Sequence, residues 1–161
     1  MVGSQFNNNA ASGDSNSGAI GFYVDNGSAA PVTVTVSRSE FNGNTANGNN
    51  NGGAVGLLLE NDSSGALTFS ATESQFSGNT VSGSGVNAIG YGFYVNNNNN
   101  DMTTGSLSVL SLAGSTFSNN GTYGIYAIGN TTAPTTINLA DTIFFGNPIN
   151  YDSSGNVTFT N

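Results

Sequence analysis

Apolar and polar residues alternate along several short stretches of the chain, and the same alternation returns at intervals. In each stretch every second residue is aliphatic or aromatic, and most of the residues between are Thr or Ser. A period of two puts the two sets of side chains on opposite faces of a β-strand. We therefore predict strands with the apolar set inside and the hydroxyls outside, at residues 32–37, 67–72, 109–112, 136–139 and 157–160.

A second type of segment is rich in β-branched and aromatic residues that are interrupted by Gly. Turn-forming Asn, Asp, Ser and Gly flank each of these segments, which is typical of strands. No stretch of ten or more residues carries an apolar stripe at helical spacing, so the sequence predicts no significant helix. These strands are predicted at residues 18–24, 53–59, 88–95 and 123–128.

A short motif recurs along the chain: Ser or Thr, any residue, Phe, two further residues, then Asn. Ser39 to Asn44 is one copy of the motif. Counted in residues between the Phe of one copy and the Phe of the next, the first two intervals are equal, the third is longer and the fourth is shorter. A recurrence at this scale, within about 20–50 residues, indicates a repeat architecture. We predict one all-β domain over residues 1–161, a parallel β-solenoid of four to five coils, with repeats near 4–38, 39–73, 74–114, 115–141 and 142–161. The extra residues of the long third repeat are expected at 96–101.

Stacking of coils at a spacing of about 4.8 Å would place equivalent residues directly over one another. Aromatic rings in such a column pack through the core, and amides hydrogen-bond along the axis. We therefore predict two structural ladders. The first is Phe6, Phe41, Phe76, Phe117 and Phe144; the second is Asn9, Asn44, Asn79, Asn120 and Asn147.

The composition of the chain restricts the classes of partner that it can bind. Of the 161 residues 36% are hydrophobic, which is enough for a core, but only 6% are charged, and nine carboxylates face a single Arg for a net charge of −8. This balance argues against nucleic acid and anionic lipid as partners. No apolar run approaches membrane-spanning length, so no direct membrane insertion is expected. A Lys-free, Asn- and Thr-rich β chain suits an extracellular or cell-surface location.

Catalytic chemistry has few candidate residues. The chain contains no His, Cys or Lys, which excludes Ser-His and Cys-His nucleophiles and imidazole metal sites. Carboxylate pairs could still hydrolyse glycosides, and the remaining candidate for a polysaccharide-active enzyme is Arg38, the only basic residue, which lies beside Glu40 and one coil from Glu73. We interpret Arg38 and Glu73 as an exposed ion pair instead, and expect no catalytic residues, no cofactor and no enzymatic activity.

A Ca²⁺ site is a weaker alternative to the expectation that the protein binds no metal. Turns rich in Asn, Ser and Gly contain an Asp whose oxygen atoms are of the type that Ca²⁺ prefers. Their spacing fits neither an EF-hand nor the nonapeptide repeat, so hydrogen-bonded Asx turns are the simpler interpretation. The residues concerned are Asp25, Asp62, Asp101 and Asp152.

The outward positions of the alternating strands form a candidate binding face. Its Thr-x-Thr pattern resembles the flat faces of ice-binding β-solenoids, and a glycan could bind there as well. Val109 and Ser111 interrupt the pattern in the third coil, and Thr is common on exposed sheet faces for its β-propensity alone. The predicted face consists of Thr33, Thr35, Thr68, Ser70, Thr136, Thr158 and Thr160.

The Phe-x-x-Asn copies together with Gly52-Gly53-Ala54-Val55 resemble the passenger domains of chlamydial polymorphic outer-membrane proteins. Ser17-Gly18-Ala19-Ile20 matches the second motif except for its first Gly, and Asn87-Ala88-Ile89 matches only in its last two residues. The resemblance implies a right-handed parallel β-helix of the pectin-lyase-like class. It also implies a surface-exposed or secreted adhesin.

The two ends of the sequence suggest self-association. The chain opens on Ser4-Gln5-Phe6 and closes on a strand of the kind that elsewhere precedes this motif, without a recognisable cap. Unpaired strand edges template the addition of another chain. We therefore expect a non-enzymatic structural or adhesive segment that stacks head to tail, either as a fibre or within a longer parent protein. Any glycan or host-surface ligand is expected at the loops 47–51 and 96–101.

Overall fold

A computed structural model describes residues 1–13, 18–25, 30–47, 55–60, 67–82, 91–97, 107–129 and 134–161. These ranges contain β-strands, turns and bends but no helix, and hence no helix that could span a membrane. In chain order the strands are β1 (Gln5–Asn7), β2 (Ala10–Ser12), β3 (Ile20–Asp25), β4 (Val32–Ser37), β5 (Glu40–Asn42), β6 (Thr45–Asn47), β7 (Val55–Glu60), β8 (Leu67–Thr72), β9 (Gln75–Ser77), β10 (Thr80–Ser82), β11 (Tyr91–Asn96), β12 (Leu107–Ser111), β13 (Thr116–Ser118), β14 (Tyr123–Ile128), β15 (Thr135–Asn138), β16 (Ile143–Phe145), β17 (Ile149–Ser154) and β18 (Val157–Thr160).

The strands assemble into sheets in which neighbours come from successive coils. The Phe sheet has the order β1-β5-β9-β13-β16, the Tyr sheet β3-β7-β11-β14-β17 and the Thr sheet β4-β8-β12-β15-β18. A small sheet, β2-β6-β10, lies between the Phe and Tyr sheets along the chain. Every strand pair in these sheets is parallel. The prediction of an all-β parallel solenoid is therefore confirmed.

The fourth coil is short mainly because it lacks one strand. The fourth coil runs from Asn120 through Gly121 and Thr122 directly into β14, without a strand in the small sheet. That omission accounts for six of the eight residues by which the step from Phe117 to Phe144 is shorter than the first two steps, and the other two are missing between Ile125 and Ile137. The Phe, Tyr and Thr sheets are each five strands deep, so they are not interrupted by the shortening.

The long repeat is built differently from what the sequence predicted. Phe93 pairs with Val55 and Leu110 pairs with Phe69. The chain from Phe76 to Phe93 is three residues longer than the chain from Phe41 to Val55 in the coil before. The chain from Phe93 to Leu110 is also three residues longer than the chain from Val55 to Phe69. Three extra residues thus precede the centre of β11 and three follow it, where a register shift lies between Leu107 and Val109. The expectation of one insertion at 96–101 was wrong, because the pairing of β11 divides it.

The core is a narrow file of side chains enclosed by the sheets. Phe41, Phe76 and Phe117 are completely buried, as are Leu110 and Ile137 from the Thr sheet. Full burial of an aromatic or aliphatic side chain contributes about 1.5–3 kcal/mol. A file of such residues can stabilise the coils because each layer covers the next.

Left-handed bends flank every strand of the Phe sheet. Residues three before and two after each Phe have φ between 50° and 67°. Gly and Asn accept this conformation readily, whereas for other residues it costs about 1–2 kcal/mol. The sequence interpretation missed these bends, although the recurring Gly or Asn two residues after Phe was an available signal. The positions are Gly3, Arg38, Glu73, Gly114 and Asp141 before the strand, and Asn8, Gly43, Gly78, Asn119 and Gly146 after it.

Candidate functional site

The Asn residues form a continuous hydrogen-bonded ladder, as predicted. The Nδ2 of Asn9 donates to Oδ1 of Asn44 at 2.9 Å, and the same bond is 3.0 Å long in each later step through Asn79 and Asn120 to Asn147. The backbone N–H of each donor residue reaches the same oxygen at 3.0–3.1 Å. The ladder therefore fixes the corner after each Phe strand along the whole axis.

Each amide also reaches back to the coil before it. Nδ2 of Asn44 donates to the carbonyl of Phe6 at 2.8 Å, and Nδ2 of Asn147 donates to the carbonyl of Phe117 at 2.8 Å. Asn44 and Asn79 are fully buried, so these bonds satisfy groups that have no access to water. The ladder has a direction, since each Oδ1 accepts from the coil on its N-terminal side.

The predicted Phe residues lie in one stack. Phe6 and Phe41 have ring centroids 5.1 Å apart and are tilted by 4°, and the next two steps measure 4.9 and 4.6 Å with tilts of 5° and 3°. The last step, from Phe117 to Phe144, widens to 5.4 Å and 18°. Parallel strand pairing with Phe opposite Phe produces this column. Rings stacked in this way contribute about 0.5–1.5 kcal/mol per pair beyond burial.

Large hydrophobic residues are exposed only near the two ends, among the residues whose exposure the structure describes. In the last coil, Tyr151 is 43% exposed and contacts Phe144 and Phe159 at centroid distances of 5.6 and 4.6 Å. These three rings form the terminal layer of the core, in register with Phe117, Ile125 and Ile137 of the coil before. The exposed set is Met1, Val2, Ile143, Phe145, Ile149 and Tyr151.

The candidate Thr face lies on the outer side of the Thr sheet. Thr33 is aligned with Thr68, and Thr35 with Ser70. At the other end Thr136 is aligned with Thr158. The structure thus brings all seven predicted residues to one side of the solenoid. Thr68 and Ser70 are partly buried, and the exposed members are Thr33, Thr35, Thr136, Thr158 and Thr160.

A cluster of four tyrosines on the Tyr sheet was missed by the sequence interpretation. Tyr91 and Tyr94 of β11 are aligned with Tyr123 and Tyr126 of β14. Tyr91 stacks on Tyr94, Tyr123 and Tyr126 with centroids 5.1, 5.7 and 5.3 Å apart. The available signal was the repeated tetrad Tyr-Gly-x-Tyr in two successive coils.

Burial and mutual proximity raise the pKa of three tyrosines of this cluster, Tyr91, Tyr94 and Tyr123. Burial, followed by the nearby Tyr94, Tyr126 and Tyr123, raises the pKa of Tyr91 far above its ordinary value. The pKa of Tyr94 is raised by burial and then by Tyr126. For Tyr123 the pKa is raised by burial, then by the Asp152 carboxylate and by Tyr126. The phenols of Tyr91, Tyr94 and Tyr123 therefore stay neutral to higher pH than an ordinary tyrosine, and the Asp152 carboxylate lies near Tyr123.

The proposed calcium ligands are only partly described. Asp152 is exposed, and its Oδ1 accepts a hydrogen bond from the backbone N–H of Ser153 at 2.8 Å. Asp62 and Asp101 lie outside the described residues, and for Asp25 only the backbone, in β3, is described. Of the two loops expected to bind ligands, 47–51 and 96–101, residues 48–51 and 98–101 also lie outside the described residues. No group of three or more acidic residues near enough to hold a metal occurs in the part of the chain that the structure describes.

The three residues considered for acid-base chemistry lie near the corner before the Phe sheet. Arg38 and Glu73 occupy equivalent left-handed bends of successive coils, and both are exposed. Glu40 lies in β5, where its Oε2 accepts from Nε2 of Gln5 at 3.3 Å. These contacts place the groups on the outer surface.

The parallel sheets and their internal ladders define a parallel β-solenoid repeat protein. Comparisons of this chain with protein-family models, with curated proteins and with solved structures find no match.

Proposed function

We propose that this solenoid is a non-enzymatic structural or adhesive segment of an extracellular or cell-surface protein, and that it stacks head to tail through its terminal coils. The observation that carries the proposal is the direction of the Asn ladder. Continuing it by one coil requires an Asn whose Oδ1 accepts from the N–H and Nδ2 of Asn147. It also requires a donor for the carbonyl of Phe144. Asn9 of a second copy provides both groups.

The backbone at the first coil fits the same register. Gly3 N–H donates to the carbonyl of Ser37 at 3.0 Å, and Ser37 N–H donates to the carbonyl of Met1 at 3.1 Å. Residues 1–9 thus already pair as the corner of a regular coil. In a head-to-tail stack they would lie over residues 139–147 of the neighbouring copy. Exposed parallel edges of this kind are competent to add a further strand.

The core surfaces of the two ends are also complementary. In the continued register, Phe6 of a second copy would lie on Phe144. Its Ile20 would lie on Tyr151, because Ile20 begins the column that runs through Val55, Phe93 and Ile125. One contact would thus join two rings, and the other a ring and an aliphatic side chain. Burying these partly exposed residues is the driving force for stacking.

Electron microscopy and light scattering of the chain at rising concentration test the stacking. We expect unbranched filaments with a repeat of about 24 Å per copy, from five coils at about 4.8 Å. High salt should promote them, because it screens the repulsion between copies of net charge −8. Strictly monomeric protein at high concentration and high salt would contradict the proposal.

A pair of variants separates end contacts from side contacts. Tyr151→Lys places a charge in the terminal core layer and is expected to abolish filaments while the monomer stays folded. Thr158→Lys places the same charge on the exposed side of β18 and should leave filaments intact. Equal effects of the two variants would indicate association through the sides instead.

The adhesive part of the proposal is supported by the resemblance of the Phe-x-x-Asn and Gly-Gly-Ala-Val motifs to the chlamydial polymorphic outer-membrane family. The location is supported by the scarcity of charge and the absence of Lys in the sequence. A glycan array and a cell-binding assay test adhesion, with loop-swap variants at 47–51 and 96–101 to locate the ligand. An array and an assay without any signal would leave only the fibre-forming role.

A second candidate function follows from the Thr face. Its exposed hydroxyls repeat along two directions, along each strand and from coil to coil, which suits a regular ligand such as an ice surface or a linear glycan. Thermal hysteresis measures ice binding directly, and Thr35→Lys should abolish it while Glu73→Lys, at an exposed bend, should not. A hysteresis of zero for the unaltered protein removes the ice-binding candidate.

A further inference from the structure

The tyrosine stack ends beside a carboxylate. Tyr126 packs against Tyr91 and Tyr94, with centroids 5.3 and 6.5 Å away and tilts of 18° and 2°. Both of these rings belong to β11, on one side of β14. On the other side, in β17, the residue aligned with Tyr126 is Asp152. One face of the Tyr126 ring is therefore covered by aromatic rings, and the strand on the other side carries Asp152, whose carboxylate is near enough to Tyr123 to raise the pKa of that phenol.

Two further side chains border the same place. Tyr123 lies on the same strand, 5.1 Å from Tyr126 between ring centroids and tilted by 44°, so the two rings are inclined to each other. Ile149 is aligned with Tyr123 and is 41% exposed. The result is a shallow seat with aromatic, aliphatic and carboxylate walls, which we call the Tyr126 seat: Tyr123, Tyr126, Ile149 and Asp152.

The charge of this seat selects the ligand. The face of a phenol ring carries negative potential and attracts cations, and a neighbouring carboxylate adds to that attraction. Asp152 Oδ1 already accepts a hydrogen bond from Ser153, so the carboxylate is held in place. The chain carries one Arg against nine carboxylates, which also favours cations at long range.

We propose that the Tyr126 seat binds a small quaternary ammonium cation. The aromatic face and Ile149 suit a cation whose charge is spread over methyl groups. A sodium or ammonium ion, in contrast, would have to give up tightly bound water for a single carboxylate. Ile149 and Asp152 of the seat lie on β17, the edge strand of the Tyr sheet that the proposed stacking would also cover, so the binding test uses monomeric protein.

Nuclear magnetic resonance titration with tetramethylammonium chloride tests the proposal, with sodium chloride at matched ionic strength as the reference. We expect saturable shifts at Tyr123, Tyr126 and Asp152, with a dissociation constant on the order of millimolar for a half-exposed seat. Shifts that are the same with sodium, or that rise linearly without saturation, would overturn it. A neutral oligosaccharide that shifts these resonances when tetramethylammonium does not would overturn it as well, in favour of a sugar site.

Variants of Tyr126 and Asp152 measure how much each side chain contributes to cation binding. Tyr126→Leu should weaken binding about five- to tenfold, whereas Tyr126→Phe keeps the ring and should bind nearly as well as the unaltered chain. Asp152→Asn should weaken binding about threefold or more, and Asp141→Asn, at an exposed bend before the Phe sheet, should not change it. If Tyr126→Leu fails to fold, the Asp152→Asn and Asp141→Asn pair decides. Equal binding by these two Asn variants would contradict the seat.

Discussion

Nδ2 of Asn79 donates to Oδ1 of Asn120 at 3.0 Å across 41 residues, and the bond from Asn44 to Asn79 has the same length across 35. The additional residues in the third repeat therefore leave the corner unchanged. The reason is that the ladder and the adjacent Phe strand are specified by a few residues close together in sequence. The rest of a coil can vary in length as long as its long strands return to register.

Removing one amide from the middle of the ladder should be costly. In Asn79→Leu the buried N–H and Nδ2 of Asn44 lose their acceptor, and the carbonyl of Phe41 loses its donor. Each buried group left unsatisfied costs about 1–3 kcal/mol, so we expect a loss of about 3–5 kcal/mol in the free energy of unfolding. Urea denaturation measures it. Asn9→Leu, at the exposed first coil, is the control and should cost less than about 1 kcal/mol.

Shortening the long repeat should be tolerated. Deleting residues 98–100 makes the step from Phe93 to Leu110 equal to the step from Val55 to Phe69 in the coil before. Because loop-closure entropy varies slowly with length, the melting temperature should stay within a few degrees. Deleting residues 117–119 shortens the chain equally but removes part of the Phe strand and its bend, and should abolish cooperative unfolding. A large loss from the first deletion would show that the insertion itself is structural.

How much of this fold the sequence reveals depends on the range of the interaction. The Phe and Asn ladders repeat because each member needs the same neighbours above and below, so their spacing is visible in the sequence. The bends at Arg38 and Glu73 were not predicted, since neither residue type favours a positive φ and only the closure of the coil imposes it. The Tyr126 seat depends on the alignment of β14 with β17, which cannot be derived while loop lengths vary.

Two substitutions at the left-handed bends should change the stability of the protein in opposite directions. Glu73 has φ of 53°, and Glu73→Gly should stabilise the protein by about 0.5–1 kcal/mol, because relief at the bend exceeds the entropy that Gly adds to the unfolded chain. Gly78 has φ of 63°, and a Cβ there would come no nearer than 3.9 Å to Gly43 N. Gly78→Ala should therefore cost about 1–2 kcal/mol from backbone conformation alone. Thermal unfolding of both variants checks the signs, and two changes in the same direction would refute this account of the bends.

The buried tyrosines predict a loss of stability at high pH. The pKa of Tyr91 is raised in the folded protein above the value near 10 of an unfolded chain, chiefly by burial. Below pH 10 both states keep the proton, so the stability is fully present. Above pH 10 the unfolded state releases its proton first, and each such group then lowers the free energy of unfolding by up to about 1.4 kcal/mol per pH unit. Melting temperatures measured from pH 8 to 11.5 should fall in the upper part of this range.

Phenylalanine substitutions assign that loss to the cluster. Tyr91→Phe keeps the stacked ring and removes the ionisable group, so its melting temperature should fall less steeply above pH 10 than that of the unaltered protein. Tyr151→Phe, at the exposed end of the core, removes one phenol without touching the cluster and should leave the slope nearly unchanged. If both variants flatten the curve equally, alkaline unfolding reflects the general accumulation of negative charge instead. The stacked tyrosines would then have no special part in it.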